Sequence, residues 1–370
     1  CGGNGWCAQP ALAADDTAAG SLTTCLLPVT GSQTAGDEAL GEGRWVKLIC
    51  GASNQDLAAV ADLCALYAVA GVQCVDVAAD AAVVNAARTG LSWARERTGH
   101  SPWLMVSVSD GRDAHFRKAV FDPSRCPPDC ARPCERVCPA DAIQAGPGVD
   151  PNRCYGCGRC LPACPLGLIE TSDHRVGLDN LALLLAELQP DAIEVHTAPG
   201  REQDFDRTLE QVAAASIPLR RLAVSCGLEG HGLRSEDLVT ELWGRHEALR
   251  KHGFRPLWQL DGRPMSGDVG AGTARAALRL WQQVRTSAPP GPLQLAGGTN
   301  GATIGLLDGL GLPRSSGPAG VAFGGMARSI VQPLLQEAEC RRTTLRDWPF
   351  GWEQALALAR DLVIPWLSRP

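Results

Sequence analysis

Residues 126–165 read CPPDCARPCERVCPADAIQAGPGVDPNRCYGCGRCLPACP, and this cysteine-rich stretch divides the rest of the chain into two parts. Eight of the 16 cysteines lie here, in two runs that each end in Cys-Pro. A shift of 26 residues places matching residues of the two runs on one another: Cys134 on Cys160, Cys138 on Cys164, Pro139 on Pro165 and Ile143 on Ile169. The stretch is therefore an internal two-fold repeat.

The second run has the spacing C-x2-C-x2-C-x3-C-P, which is the bacterial ferredoxin pattern. In proteins with two such clusters the fourth cysteine of a run binds the other cluster. This rule predicts two iron–sulfur clusters that exchange one ligand. The predicted ligands are Cys126, Cys130, Cys134 and Cys164 for the first cluster, and Cys138, Cys154, Cys157 and Cys160 for the second.

The first run departs from that spacing, because its cysteines follow a C-x3-C-x3-C-x3-C pattern. We expect a looser loop around the first cluster than around the second. The regular run predicts a [4Fe-4S] cluster. The irregular run leaves open whether the first cluster is [4Fe-4S] or [3Fe-4S].

Three other readings of the cysteines are less consistent with the sequence. A cysteine stripe along one helix would be broken by Pro127, Pro128 and Pro133. Structural zinc sites use C-x2-C pairs about 15–20 residues apart and give no reason for two Cys-Pro endings. Disulfides are typical of small secreted domains and not of a chain of 370 residues.

Outside the cysteine segment, short apolar runs alternate with amphipathic stretches. The predicted strands are Trp45–Cys50, Gln73–Val77, Trp103–Val108, Ala192–His196, Leu219–Ser225, Pro256–Leu260, Leu293–Ala296 and Gly320–Phe323. The predicted helices lie near 55–70, 81–90, 178–188, 202–215, 235–252, 271–286, 301–310 and 326–339. Such alternation predicts a parallel sheet, and this count predicts an α/β fold, a (β/α)8 TIM-like barrel. A doubly wound open sheet is the alternative.

The cysteine segment then becomes an insertion in this barrel. We expect a dicluster ferredoxin-like domain over 117–176, between barrel parts at 43–116 and 177–340. It follows the third strand, so it lies on the C-terminal face where such barrels carry their sites. The Ala-, Gly- and Thr-rich residues 1–42 are predicted to form a disordered tail, and 341–370 a C-terminal helix that packs outside the barrel.

Net charge argues against nucleic acid as a partner, and the length of the apolar runs argues against a membrane span. A net charge of −6, without any basic run, argues against nucleic acid. No apolar run reaches the roughly 18 residues that a membrane span needs. Reduced thiolate ligands favour a cytoplasmic location.

Two glycine-rich segments follow the last two predicted strands. They contain Gly297 and Gly298 in the first segment, and Gly324 and Gly325 in the second. The loops after strands seven and eight of such barrels often bind phosphate through backbone N–H groups, and glycine allows close approach of an anion. We therefore expect either a phosphate-bearing ligand such as a flavin, or two tight turns without a ligand.

Four ionisable residues interrupt three otherwise apolar strands. Lys47, Asp76, Glu194 and His196 lie within predicted strands, where an unpaired charge is costly. They predict either an ion-pair network inside the barrel or a polar pocket that binds a cofactor. No combination of nucleophile and base requires an enzyme.

Three segments resemble the cyanobacterial light-dependent period family. They read WVKLICGASNQDL at 45–57, AGVQCVDVAAD at 70–80 and LAGGTNG at 295–301. The cysteine runs lie between them, as in that family, and the likeness covers about residues 43–340.

The resemblance implies an iron–sulfur protein that senses redox state and passes it to the circadian clock. In that family the input follows photosynthetic electron flow and the plastoquinone pool, and the implied partners are the clock proteins CikA and KaiA. The resemblance leaves open whether the barrel binds a quinone. The alternative function is a flavin-dependent barrel oxidoreductase that receives electrons from its ferredoxin module.

Overall fold

The computed structural model of this chain describes residues 32–144, 146, 148–228, 232–263 and 270–369. Its strands, in chain order, are β1 Trp45–Gly51, β2 Cys74–Ala78, β3 Trp103–Ser109, β4 Arg117–Val120, β5 Ile143–Gln144, β6 Gly148–Val149, β7 Glu170–Asp173, β8 Ala192–His196, β9 Arg221–Gly227, β10 Pro256–Asp261, β11 Leu293–Ala296 and β12 Gly320–Phe323.

Helices separate most of these strands. They are α1 Ser32–Gly41, α2 Leu57–Ala70, α3 Ala81–Thr98, α4 Pro133–Arg136, α5 Cys160–Ala163, α6 Leu178–Leu188, α7 Glu202–Ala214, α8 Ser235–Lys251, α9 Ala274–Val284, α10 Thr303–Asp308, α11 Gly325–Ser329, α12 Gln332–Cys340 and α13 Pro349–Leu367. The predicted helix at 326–339 is two helices, because the chain turns at Ile330 and Val331.

Eight parallel strands close into a barrel, which confirms the predicted (β/α)8 fold. The order around the barrel is β1, β12, β11, β10, β9, β8, β3, β2. Closure is made by β12 against β1, where Gly320 is paired with Trp45. The open-sheet alternative is therefore wrong. The strands are buried on both faces, between the polar interior of the barrel and the surrounding helices, which explains why they read as nearly continuous apolar runs.

The cysteine segment leaves the barrel after β3 and returns to it at α6. Its two ends pair as the antiparallel strands β4 and β7, with Arg117 opposite Asp173. The hairpin of β5 and β6 and the short helices α4 and α5 complete it. It has a small apolar core of its own, which includes Ala119, Ile143 and Ile169. The ferredoxin-like module thus lies at the C-terminal ends of the barrel strands.

The prediction of a disordered tail over 1–42 is wrong for its last part, while residues 1–31 lie outside the described residues. Residues 32–41 form α1, whose Leu40 packs with Trp45 and Trp103 at the N-terminal end of the barrel. Asp37 also forms ion pairs with Arg221 and Arg255. These tertiary contacts stabilise a helix that the local Ala- and Gly-rich sequence does not predict.

The last helix, α13, lies within the predicted segment 341–370 and packs against α2. Trp366 is buried in the main core, and the side chain of Arg369 donates a hydrogen bond to the carbonyl oxygen of Gly43. Among the described residues, no helix has the length and apolar character to cross a membrane.

Helices α2 and α3 pack closely at Gly90, and we expect Gly90→Ala to destabilise the fold. A Cβ atom at Gly90 would lie 2.1 Å from the carbonyl oxygen of Ala61. Overpacking of this kind costs about 1–3 kcal/mol. The matched control is Gly244→Ala in α8, where a Cβ meets nothing within 4 Å and the change should stabilise by about 0.4–1 kcal/mol. Thermal unfolding midpoints should therefore shift in opposite directions, and two equal shifts would contradict the close packing.

Candidate functional site: cysteine groups and the barrel mouth

The eight predicted cluster ligands form two groups, and each group combines both runs. The second group lines one cavity with an empty volume of about 340 Å³. Its four cysteines are Cys138, Cys154, Cys157 and Cys160. The wall between them is apolar and includes Ala140, Ala142 and Ile143. Cys138 of the first run therefore faces the three cysteines of the second run.

The electrostatics of the thiols give the same grouping. Burial and the neighbouring thiols Cys157, Cys154 and Cys138 together raise the pKa of Cys160 to about 12. In the first group, desolvation raises the pKa of Cys126, and the neighbouring thiols Cys130 and Cys164 contribute. The pKa of Cys134 is raised by burial and by Cys164. Because such interactions weaken with distance, Cys164 lies with the first run.

Backbone N–H groups point at the sulfurs in a pattern that repeats between the two halves. The N–H of Ala142 donates to Sγ of Cys138 at 3.2 Å, and that of Leu168 to Sγ of Cys164 at 3.4 Å. Each donor lies four residues after its cysteine, so the two bonds are equivalent in the repeat. Hydrogen bonds to sulfur are among the features that set the reduction potential of an iron–sulfur cluster.

These residues fit iron–sulfur clusters. Each group offers four thiols, and the cysteines of the described residues form no disulfide. The apolar wall and the N–H donors are the surroundings that thiolate-bound clusters use. When bound, such clusters supply one-electron transfer. The thiols are grouped as the crosswise rule predicts, whereas cluster binding by these eight residues and the cluster types stay predictions.

A second cavity opens at the C-terminal mouth of the barrel and has an empty volume of about 840 Å³. Six of the seven residues predicted to line a cofactor pocket border it: Gly297, Gly298, Gly324, Gly325, Glu194 and His196. Lys47 lies below the cavity and contacts Glu194 from beneath. Residues that the sequence did not single out complete the wall, among them Ser107, His115, Tyr155, Gln259, Asp261 and Arg328.

Cys157 borders both cavities. It is one of the four cysteines around the smaller cavity, and it also reaches the wall of the barrel pocket beside Tyr155. Arg328 lies over the ring of Tyr155, with its Cζ 5.2 Å from the ring centroid. A cluster held by the second group would therefore be separated from the barrel pocket by one ligand side chain.

The buried charges form a connected network that ends in the pocket. Lys47 donates to Glu194 and, at 3.1 Å, to Asp76. Glu194 in turn contacts Nε2 of His196 at 3.0 Å and accepts a hydrogen bond from Gln259 at 2.6 Å. The sequence predicts the network and the pocket as alternatives, but the structure combines them. Lys47 and Asp76 form the lower part, and Glu194 and His196 reach the cavity.

Burial and neighbouring charges set the protonation of this network. Burial alone would lower the pKa of His196, but the hydrogen bond and charge of Glu194, with Asp113 and Asp261, raise it to about 9. Burial, together with the charge of Glu194, raises the pKa of Asp261 to about 6. Ser225 donates a hydrogen bond to Asp261 and partly offsets it. The pocket wall thus contains a carboxyl group that resists ionisation.

We expect Asp261→Asn to stabilise the protein in a pH-dependent way. The folded-state pKa of about 6 lies above the ordinary 3.8, so this carboxyl favours folding fully below pH 3.8 and loses that contribution as the pH rises through 6. Asparagine does not ionise. The variant should therefore unfold at a higher temperature than the parent near pH 8, with a smaller difference near pH 5. An equal difference at both pH values would contradict the burial of the ionised carboxylate.

The two glycine loops differ in why they need glycine. Gly298 has φ +94°, and a Cβ there would lie 2.8 Å from the carbonyl oxygen of Thr273. The prediction that glycine is needed for a tight turn therefore has a geometric basis at Gly298. At Gly324 a Cβ would make ordinary contact with Ile49 at 3.6 Å, so space within the turn does not exclude a side chain. Binding of a phosphate-bearing ligand stays a prediction at both loops.

Sequence reasoning predicted Cys157 only as a cluster ligand, and it missed Tyr155 and His115, which also border the pocket, and Asp113, which pairs with His115. Tyr155 and Cys157 lie within the second cysteine run, and Asp113 and His115 lie in the loop after β3. Asp261 ends β10, one residue past the predicted strand. A polar residue at the C-terminal end of a barrel strand is a usable signal for a site.

Two family models match this chain, one over the cysteine segment and one over the part of the chain that follows it. The profile of the LdpA Fe-S cluster-binding domain matches residues 126–175, and that of the Light dependent period A C-terminal domain matches 184–365. The chain is 46% identical over 332 residues to Light dependent period A of Synechococcus elongatus, covering 89% of this chain and 92% of that protein.

Ferredoxins match the cysteine segment more locally. A ferredoxin of Alicyclobacillus acidocaldarius is 41% identical over 49 residues, covering 12% of this chain and 63% of that protein. An uncharacterized ferredoxin of Methanocaldococcus jannaschii is 33% identical over 85 residues, covering 22% of this chain and 56% of that protein. The long match to Light dependent period A, together with the two family profiles, shows that this iron–sulfur barrel protein belongs to the light dependent period A family.

Proposed function

We propose that this protein is a redox sensor whose iron–sulfur clusters relay the state of photosynthetic electron transport and of the quinone pool to the circadian clock. The observation that carries the proposal is the position of Cys157 between the second cysteine group and the barrel pocket. The name of the relative from Synechococcus elongatus, Light dependent period A, supports the clock part.

The two cysteine groups differ in exposure, and this difference supports a direction of electron flow. In the first group only Cys134 is buried, whereas Cys154 and Cys160 are buried in the second. The first group would hold the more exposed cluster, [4Fe-4S] or [3Fe-4S], which would be the labile one and the one open to an electron donor. The second, [4Fe-4S], lies between the first cluster and the barrel. Exposure is one of the features that tune cluster potentials.

Reduction changes the charge of a cluster by one electron, and the barrel mouth is built to respond to charge. Cys157 and Tyr155 border the pocket, and the guanidinium of Arg328 lies over Tyr155. Arg328 is buried and donates to the carbonyl oxygen of Cys50 at 3.2 Å. A charge change at the second cluster acts on this cation at short range and in a low dielectric. The contact between α11 and the end of β1 then depends on redox state.

The partners in this proposal are the clock input proteins CikA and KaiA, in the cytoplasm. The test is anaerobic titration of each partner against the fully loaded protein, once oxidised and once reduced with dithionite. EPR spectra record the state of the clusters in each sample. We expect the affinity to differ between the two states by about tenfold or more. Equal affinity in both states, with both clusters intact, overturns the relay.

The alternative function is a flavin-dependent oxidoreductase fed by the ferredoxin module. It is favoured by one observation, namely that both glycine loops border the same cavity as Cys157. The test is the spectrum of anaerobically purified protein before and after denaturation. Released flavin fluorescence supports the enzyme. Iron–sulfur absorbance without released flavin supports the sensor.

A further inference from the structure

Three side chains of types that can bind a metal ion lie close together where the chain leaves the barrel for the ferredoxin module. Asp113 and His115 lie in the loop between β3 and β4, and His196 ends β8. One donor atom from each lies within 4.8 Å of the other two. Nδ1 of His115 is 2.7 Å from Oδ1 of Asp113, and Nδ1 of His196 is 3.8 Å from the same oxygen. Donor atoms that share a metal ion at bond lengths of about 2.1 Å are separated by roughly 3–3.5 Å.

From this geometry we propose that Asp113, His115 and His196 bind one divalent transition-metal ion, separate from the cluster cysteines. Two imidazoles and one carboxylate are a ligand set that zinc and non-haem iron sites use, with open positions for water or substrate. The two imidazole rings face one another, with centroids 4.9 Å apart. The proposal does not depend on the redox relay.

An independent observation supports a metal at this place. Nε2 of His196, the nitrogen away from Asp113, is 3.0 Å from Oε1 of Glu194. Glu194 is itself held by Lys47 and Gln259. A metal-binding histidine almost always donates its second N–H to a carboxylate or carbonyl, which fixes the ring and its tautomer. His196 therefore has the outer contact that a metal ligand needs.

The other two ligands are held by the backbone around them. Asp113 accepts a hydrogen bond from the N–H of His115 at 2.8 Å, and the carbonyl oxygen of His115 accepts one from Ser53 at 2.9 Å. Phe116 packs edge-on against His196, with ring centroids 5.1 Å apart. The three ligands thus lie on one loop and one strand end that are already packed together, so binding requires little rearrangement.

The open side of the site faces the barrel pocket. His115 and His196 border that cavity, and so do Asp261 and Glu194. A metal ion there fixes the first strand of the ferredoxin module to the barrel. It also presents open coordination positions to the same space that Cys157 reaches. His196 then binds a metal ion through Nδ1 in addition to its pairing with Glu194 in the buried network.

The test uses full-length protein with its clusters intact, washed with chelator under anaerobic conditions and loaded with Zn²⁺. Zinc binds nitrogen and oxygen sites more tightly than Mn²⁺ or Fe²⁺ does, so it is the most sensitive probe. We expect one zinc per chain, with an X-ray absorption shell of nitrogen and oxygen at about 2.0–2.1 Å and no sulfur at about 2.3 Å. No bound zinc, or a sulfur shell, overturns the proposal.

Two variants tie the zinc to these residues. Asp113→Asn keeps the acceptor for the N–H of His115, and His115→Ala removes one imidazole; each should weaken zinc binding at least about tenfold. His252→Ala, at an exposed histidine in the turn after α8, is the matched control and should bind as the parent does. Iron content checks that the clusters persist in all three. Equal zinc binding in the two ligand variants and the control overturns the assignment.

Discussion

Serine in place of Cys138 should remove the same cluster as serine in place of Cys157, although the two residues belong to different cysteine runs. Both cysteines border the smaller cavity, and Cys138 contributes to the raised pKa of Cys157. Loss of one of four thiolates leaves an incomplete site, so each variant should lose about half of its bound iron. The remaining EPR signal should be the same in both.

The reciprocal variant is Cys164→Ser, which should abolish the other EPR signal and match Cys126→Ser. Cys340→Ser is the matched control, because Cys340 is exposed and lies outside the two groups. It should retain the full iron content. If Cys138→Ser instead matched Cys126→Ser, each cluster would take all of its ligands from one run and the crosswise pairing would be wrong.

Lys47→Met should destabilise the barrel by about 3–5 kcal/mol, the cost of removing one partner from a buried ion pair. Lys47 is fully buried and contacts two carboxylates, those of Glu194 and Asp76. Glu194 keeps the imidazole of His196 after the change, whereas Asp76 keeps the uncharged hydroxyl of Ser107, at 2.8 Å. Asp76 is therefore the group that loses most, and the loss should appear as a lower denaturant midpoint.

A double variant separates the lost charge from the lost packing. Lys47→Met combined with Asp76→Asn should recover much of the stability, since the second change removes the carboxylate left without a cation. Arg341→Met is the matched control, because Arg341, directly after α12, forms a solvent-exposed ion pair with Glu337. Such pairs contribute about 0–1 kcal/mol. Equal losses for Lys47→Met and Arg341→Met would show that the buried network does not stabilise the barrel.

Much of the fold was predictable because each barrel strand is buried on both faces and bounded by turn residues. The eight predicted strands coincide with the barrel strands to within two residues at either end. Helix α1 was not predictable in this way. Its stability comes from Leu40 against Trp45 and from Asp37 with Arg221, contacts that exist only after the barrel has closed.

The residues of the candidate site also divide into those that the sequence predicts and those that only the fold brings together. Glu194 and His196 were visible as charges in a strand, and the glycines as breaks after strands. Asp113 and His115 carry no such pattern, because their loop is placed by strand order. β3 pairs with β8, and Ser109 lies opposite His196. Two strands that an 82-residue interval separates in the chain are therefore neighbours, and the loop after β3 begins beside His196.

The pairing of β4 with β7 has a consequence for how such a chain can arise. Arg117 opposite Asp173 brings the two ends of the ferredoxin module together at a single loop of the barrel. A barrel with a short connection at this point can accept the module as an insertion. Because β4 and β7 hold the two ends of the module together, the insertion adds little loop-closure entropy cost to the barrel. A new electron-transfer function can then be joined to an existing barrel without moving any of its eight strands.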